Sequence, residues 1–255
     1  AAFVAREQII VAGLRVAALV AERYSDELNF QAQVEEGSRI AAGTTMAEVA
    51  GPVRALLAAE RVLLNFLGRL CGISTQTGRY VDAVAGTGAR VYDTRKTTPG
   101  WRRLEKYAVR CGGGCNHRTA LYDAILIKDN HLAFGESNQA ETHFTPAMAV
   151  QRAKLHLASR ELSALVEVEV DTLEQLEQVL PEQPDIVLVD NMPAETLRQA
   201  VGLRDRLAPE VQIEASGGIT MDNLRAIAST GVERISIGAL THSARWVDIG
   251  LDWLE

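Results

Sequence analysis

Between Arg95 and Lys128 the chain carries eight Lys or Arg residues against two acids, Glu105 and Asp123, although its formal net charge is -7. Cations gathered in this way suit a small ligand with several negative groups, because guanidinium and ammonium bind carboxylate and phosphate through charge-assisted hydrogen bonds. Within the stretch lie Gly112, Gly113 and Gly114, whose backbone N–H groups can approach a ligand, and the donors Asn116, His117 and Arg118. Lys128 reads as a Schiff-base nucleophile or as a cation for a carboxylate, and the neighbouring arginines favour the cation. Glu169 and Asp190 suggest a magnesium-type cation shared with ligand phosphate; the alternative is that each acid caps the helix after its strand. Ser216, Gly217 and Gly218, then Gly238 with His242, have the composition of phosphate loops or of two tight turns. Cys111, Cys115 and His117 lack the spacing and second ligand pair of a metal centre, so the cysteines read as ordinary thiols. His143 and His156 have no such company and read as surface residues.

Hydrophobic periodicity shows what must position these groups. Residues 1 to about 50 form a small α+β unit, with a helix from Gly13 to Tyr24 and short strands from Asn29 to Glu35 and beyond. Pro52 opens a helix with an apolar face of Leu56, Leu57, Leu63, Leu64, Phe66 and Leu67, while Arg54, Glu60, Arg61 and Arg69 fall on or near its other faces. A second helix is expected from Ser74 to Val84. From Arg90 onward strands and helices alternate: ARVYDT, AILIK, LVEVEVD, DIVLVDN, VQIEASGG and RISIGAL are the strands. Glu169, Asp190, Glu214 and Gly238 recur at intervals of 21, 24 and 24 residues, the period of a βα unit. That rhythm predicts a parallel α/β barrel, with the chemistry at the C-terminal strand ends. The expected division is an N-terminal α+β domain over residues 1–88 and a barrel domain over 89–255, with the end of the chain packing back on the first.

With 47% hydrophobic residues the 255-residue chain can fill a core, and it has no run of eighteen apolar residues to span a membrane. Its acidic balance, with positive charge concentrated in one segment, argues against a nucleic-acid partner. Three cysteines without framework spacing suit a reducing cytoplasm. The sequence opens on Ala1-Ala2-Phe3, so an incomplete N-terminus is expected.

The strings YDTRKTTPG, KYAVRCGGGCNHR, LIKDNH, VEVEVD, LVDN, EASGGI and SIGALTHSA resemble the quinolinate phosphoribosyltransferases, in family order from about Gly13 to Leu251. The resemblance implies an incomplete α/β barrel with a smaller N-terminal domain, and a homodimer, with higher assembly also allowed, whose N-terminal domains cover the partner's barrel mouth. It implies phosphoribosyl transfer from 5-phosphoribosyl 1-pyrophosphate (PRPP) to quinolinate with decarboxylation, aided by Mg2+, in NAD biosynthesis. It assigns Arg95, His117, Arg118 and Lys128, with Arg61 from the partner, to the quinolinate carboxylates. Lys96 falls between quinolinate and pyrophosphate; Glu169 and Asp190 serve ribose and metal; Ser216, Gly217, Gly238 and His242 serve phosphate. Arg61 stands on the resemblance alone. The segment from Phe134 to Leu162 is longer than the family pattern, and its SNQAETHFTP portion reads as a surface loop. Rival readings are a paralogous pyrophosphorylase for another acid, a Schiff-base aldolase using Lys128, and a non-catalytic sensor of phosphate metabolites.

Overall fold

The computed structural model describes residues 1–137 and 144–254. In chain order come β1 (Ala2–Ala5), β2 (Ile9–Ile10), α1 (Leu14–Tyr24), β3 (Asn29–Ala32), β4 (Arg39–Ile40), β5 (Thr45–Ala50) and α2 (Val53–Ala83). Next are β6 (Arg90–Tyr92), α3 (Arg102–Cys111), β7 (Ala124–Ile127), α4 (Asp129–Ser137), α5 (Pro146–Ser159), β8 (Leu165–Val170) and α6 (Leu173–Val179). The chain continues through β9 (Ile186–Asp190), α7 (Ala194–Leu207), β10 (Gln212–Ser216), α8 (Met221–Ala228), β11 (Arg234–Ser236), α9 (Ala239–His242) and β12 (Ile249–Asp252). Two compact units result. One contains Ala1–Asp82, Asp93–Asn116 and the residues from Gly238 on; the other contains Ala83–Tyr92 and His117–Ile237.

In the first unit a four-stranded sheet is ordered β12-β1-β5-β3. Strand β1 pairs antiparallel with both β12 and β5, and all four of its residues are buried. Phe3, Met46, Leu63, Leu67 and Ile249 belong to the core beneath it. Helix α1 has no side-chain cap of its own. The Glu36 carboxylate instead accepts hydrogen bonds from Gly13 N and Arg15 N, placing negative charge at the helix N-terminus.

Helix α2 is continuous over 31 residues, where the sequence predicts two helices. Glycine weakens a helix in isolation by about 1 kcal/mol, but here close packing demands it. A Cβ on Gly72 would lie 2.1 Å from Arg245 O, and one on Gly78 would lie 2.2 Å from Ile10 Cδ1. Leu57, assigned to the apolar face, is exposed, whereas Arg69 on a supposed outer face is largely buried.

The second unit is built on a six-stranded parallel sheet ordered β6-β11-β10-β9-β8-β7. Among the described residues β6 and β7 do not pair, so this is an incomplete barrel. All six predicted strands are present. Between β7 and β8 the long segment is mostly helical, through α4 and α5; Phe144 is buried and Arg152 lies over its ring, 4.8 Å from the centroid. The polar part of the predicted loop, with His143, falls outside the described residues, and His156 is exposed.

Candidate active site

Strand β8 alternates Val166, Val168 and Val170, all buried, with Glu167 and Glu169. Because side chains alternate across a strand, both glutamates project from one face. Glu167 and Glu214 of β10 both reach His117 from strands on either side of β9, so that face is the concave one. The barrel interior is therefore polar. Glu169 forms an ion pair with Lys128, which follows β7. In register, Glu169 and Glu214 both stand beside Leu188, while Asp190 stands beside Ser216. Glu214 thus lies within its strand, and Asp190 lies two residues beyond the level of Glu169. The sequence spacing did not resolve this offset. Neither acid of the predicted pair is a helix cap: Thr172 caps α6 and Pro193 precedes α7.

At the end of β10 the chain turns through Gly217 and Gly218, with φ of 85° and 59°. A Cβ on Gly217 would fall 2.4 Å from Asn191 Oδ1 and 2.8 Å from Asp190 Oδ1. Glycine here is what allows the Asp190 carboxylate to stand beside the turn. Asn191 N donates to Ser216 O at 2.8 Å and ties the ends of β9 and β10 together.

Beneath this rim His117 sits with its side chain 9% exposed. Its Nε2 lies 3.1 Å from Glu167 Oε2 and 3.4 Å from Glu214 Oε1, and Arg234 Nε donates to Glu214 Oε2 at 2.6 Å. Arg234 also stacks over Tyr92, 3.7 Å from the ring centroid. Burial pushes Glu214 up, yet His117 and Arg234 outweigh it and hold the acid below its usual range; for Glu167 burial prevails and raises the pKa. For the His117 ring, burial opposes charge while both glutamates favour it, drawing the pKa up to about 9. The backbone N–H of Arg118 opposes that protonation, because it donates to Nδ1 at 2.8 Å and an imidazolium has no lone pair there. With Nδ1 accepting, Nε2 carries the hydrogen and faces the carboxylates. These three side chains are the metal-ligand-like cluster among the described residues, but an N–H at Nε2 cannot ligate a metal, so the ring meets the two carboxylates as a donor to Glu167 with Glu214 close by. Cys111 and Cys115 are not part of it and are free thiols.

In the first unit, Arg95 and Lys96 are exposed. Their loop is fixed from below. Glu105 accepts from Thr98 N at 3.0 Å and Thr98 Oγ1 at 2.8 Å, and pairs with Arg69 at 2.6 Å. Arg69 also donates to Thr241 O and Ala244 O, while Thr241 Oγ1 donates to Lys96 O at 2.7 Å. The loop of Lys96 and the turn carrying His242 are thus held by one network. Gly238 belongs to it, since a Cβ there would lie 3.0 Å from Lys96 Cδ and 3.1 Å from His242 Nε2. Arg61 is exposed on α2.

Several expected ligand groups serve the fold instead. Lys106, counted among the cations, is buried against Asp93. Asn116 Nδ2 donates to the other Asp93 oxygen at 2.7 Å and to Lys106 O. A Cβ on Gly112 would meet Ser74 O at 2.4 Å and one on Gly114 would meet Thr77 Cγ2 at 2.7 Å, so these glycines admit α2 rather than a ligand.

The second unit therefore gathers His117, Arg118, Lys128, Glu169, Asp190, Ser216 and Gly217 on strands β7 to β10 and the segments joined to them. The first gathers Lys96, Gly238 and His242, with Arg95 beside Lys96 in sequence. Sequence reasoning missed Glu167, Arg234, Arg69 and Asp93 as supports, and used Glu214 only as a spacing marker. The one available signal was Glu167 two residues before Glu169 in a strand otherwise of valine and leucine.

Residues 1–71 match the family described as quinolinate phosphoribosyl transferase, N-terminal domain, and residues 73–252 match the C-terminal domain of the same family. The nicotinate-nucleotide pyrophosphorylase [carboxylating] of Mycobacterium leprae is 46% identical over 251 residues, 98% of this chain and 84% of that protein. A probable enzyme of the same name from Bacillus subtilis is 41% identical over 257 residues, covering 99% and 82%. The solved nicotinate-nucleotide pyrophosphorylase of Francisella tularensis superposes with a TM-score of 0.87 at 36% identity, covering 98% of this chain and 83% of that one. On this similarity in both sequence and fold, the chain belongs to the quinolinate phosphoribosyl transferase family.

Proposed function

We propose that this protein transfers the phosphoribosyl group of PRPP to quinolinate with decarboxylation, giving nicotinate mononucleotide, pyrophosphate and carbon dioxide in NAD biosynthesis. The observation that carries the reading is the pairing of Lys128 with Glu169 at the mouth of the incomplete barrel. A cation for an aromatic dianion and a carboxylate for an electron-poor sugar carbon stand side by side there. The engagement of Lys128 with Glu169 also favours its role as a cation over that of an amine nucleophile.

In this reading Arg95, Arg118 and Lys128 hold the quinolinate carboxylates, and His117 supports Arg118. The ring nitrogen attacks C1 of PRPP as the bond from C1 to the pyrophosphate oxygen breaks. Glu169 and Asp190 stabilise positive charge at the sugar, and Lys96 faces the departing pyrophosphate. Ser216, Gly217, Gly238 and His242 serve the phosphate groups. The ribosylated ring nitrogen then accepts the electron pair of the breaking carboxylate bond, carbon dioxide leaves, and a proton replaces it on the ring. Catalysis is mostly positioning and electrostatics.

Asp190 fits a magnesium-type cation: its carboxylate stands at a strand end beside a glycine turn, as few protein oxygens with ligand phosphate would require. Glu169 would join it on leaving Lys128. Such an ion supplies charge neutralisation on the pyrophosphate. The assembly expected is a homodimer in which Arg61 reaches the partner's site. The described residues contain no helix long and apolar enough to cross a membrane, and the three free thiols suit the cytoplasm.

The test is an assay of purified protein with quinolinate, PRPP and Mg2+, with nicotinate offered in parallel and chelator in a third arm. Nicotinate mononucleotide from quinolinate, with loss on chelation and recovery with added Mg2+, is expected. Product only from nicotinate or another acid would move the protein to a paralogous activity, and none at all would favour a sensor.

A further inference from the structure

Two carboxylates buried inside a barrel need a reason, because desolvating them is costly unless their hydrogen bonds are satisfied. Glu167 is 1% exposed and Glu214 is 0% exposed. They belong to strands on either side of β9 and converge on one atom, Nε2 of His117. Glu214 Oε1 has no hydrogen bond of ordinary geometry among the described residues, and His117 Nε2 lies 3.4 Å from it. Arg234 holds the other oxygen, and Tyr92 lies under Arg234. This column of side chains grips one edge of the imidazole.

The opposite edge of the ring faces the chain itself. Nδ1 accepts the backbone N–H of Arg118, whose guanidinium Nη1 donates to Ala124 O at 3.4 Å at the start of β7. Downstream, the amides of Thr119 and Ala120 donate to Asp123, closing a turn. The His117 ring is therefore a peg between the barrel interior and the peptide from which the Arg118 side chain springs. If the ring rotated, Nδ1 would leave that peptide, and the guanidinium would lose its fixed origin.

The geometry points to Glu167 and Glu214 as positioning residues for the transferase reaction: through the His117 ring they fix the Arg118 guanidinium for the substrate dianion. The inference rests on the proposed reaction for that dianion and for the role of Arg118 in holding it. A bidentate guanidinium–carboxylate contact depends on orientation, so loosening its origin weakens binding without removing charge.

The test is a double-mutant cycle between Glu167→Leu and Arg118→Ala, with direct calorimetric titration of quinolinate alongside steady-state kinetics. In the Arg118 background, Glu167→Leu should raise the quinolinate Kd and KM about tenfold and leave the PRPP KM within about twofold. With Arg118→Ala already present, the same substitution should change quinolinate binding less than about twofold. Glu167→Gln keeps an acceptor oxygen for Nε2–H and should recover most of the loss. Additive effects in the cycle, or an equal rise in both KM values, would overturn the inference. So would a Glu167→Leu protein that binds quinolinate normally. If Glu167→Leu does not fold, Glu167→Ser takes its place in the same cycle. Failure of the reaction assay with unaltered protein would count against the proposed substrate, whereas failure of the cycle with an active enzyme would count against the positioning network.

Discussion

Lys128 and Glu169 neutralise one another before any substrate arrives, and each is assigned to a different substrate in the proposed reaction. Removing either should therefore have an asymmetric result. Arg118→Ala and Lys128→Ala should weaken quinolinate binding by about 2–5 kcal/mol, the usual consequence of truncating one partner of a buried charge pair. Glu169→Ala should depress kcat more than it raises the quinolinate KM. Steady-state kinetics with each substrate varied separates the two outcomes; normal quinolinate binding by Arg118→Ala would remove Arg118 from the pocket. Cys71 permits a test that needs no substrate. Its thiol is wholly buried and pushed up to about 12, chiefly by desolvation, so it should stay protonated and unlabelled by iodoacetamide at pH 8. Peptide mass spectrometry should find label there only after denaturation. At this scale the sequence was a good guide to charges at strand ends, such as Lys128, Glu169 and Asp190, because their position in the βα rhythm declares them. It was a poor guide to Lys106, Asn116, Glu105 and Glu214. A charged letter does not reveal whether it will meet a ligand or another side chain.

Helix α2 shows the same limit one level up. Its glycines look like breaks in a one-dimensional pattern, yet Gly72 is the place where the backbone at Arg245 comes close to the helix. Gly72→Ala should thus destabilise by roughly 1–3 kcal/mol through overpacking, despite alanine's better helix propensity. Gly202 in α7 is exposed and has nothing within 4 Å of an added Cβ, so Gly202→Ala should stabilise by about 0.5–1 kcal/mol. Urea unfolding of the two variants checks both signs. The strands were more legible than the helices: all six barrel strands are short apolar runs between turn signals, which local pattern identifies well. Their register was not legible, because the two-residue offset between Glu169 and Asp190 comes from hydrogen-bond pairing rather than from repeat length.

For the whole molecule, the proposed dimer has a direct test in subunit mixing. Arg61→Ala and Lys96→Ala proteins should each be nearly inactive, but co-refolded together they should recover up to about a quarter of the activity of the unaltered enzyme, because hybrid dimers carry one intact site. No recovery would confine Arg61 to its own subunit or remove it from the reaction. The fold class and family were legible from motifs spread along nearly the whole chain, whereas the proposed assembly rests on the resemblance alone, since a surface arginine carries no local mark of a partner. The pairing of β1 with β12 has one more consequence, for the birth of the protein. Strand β1, with Phe3 and Val4 at its centre, is made well before β12, so its pairing with β5 can form long before its second neighbour exists. Until the codons for Ile249 to Asp252 are read, an apolar strand edge stays open, a surface on which chaperones and aggregation compete for the unfinished chain.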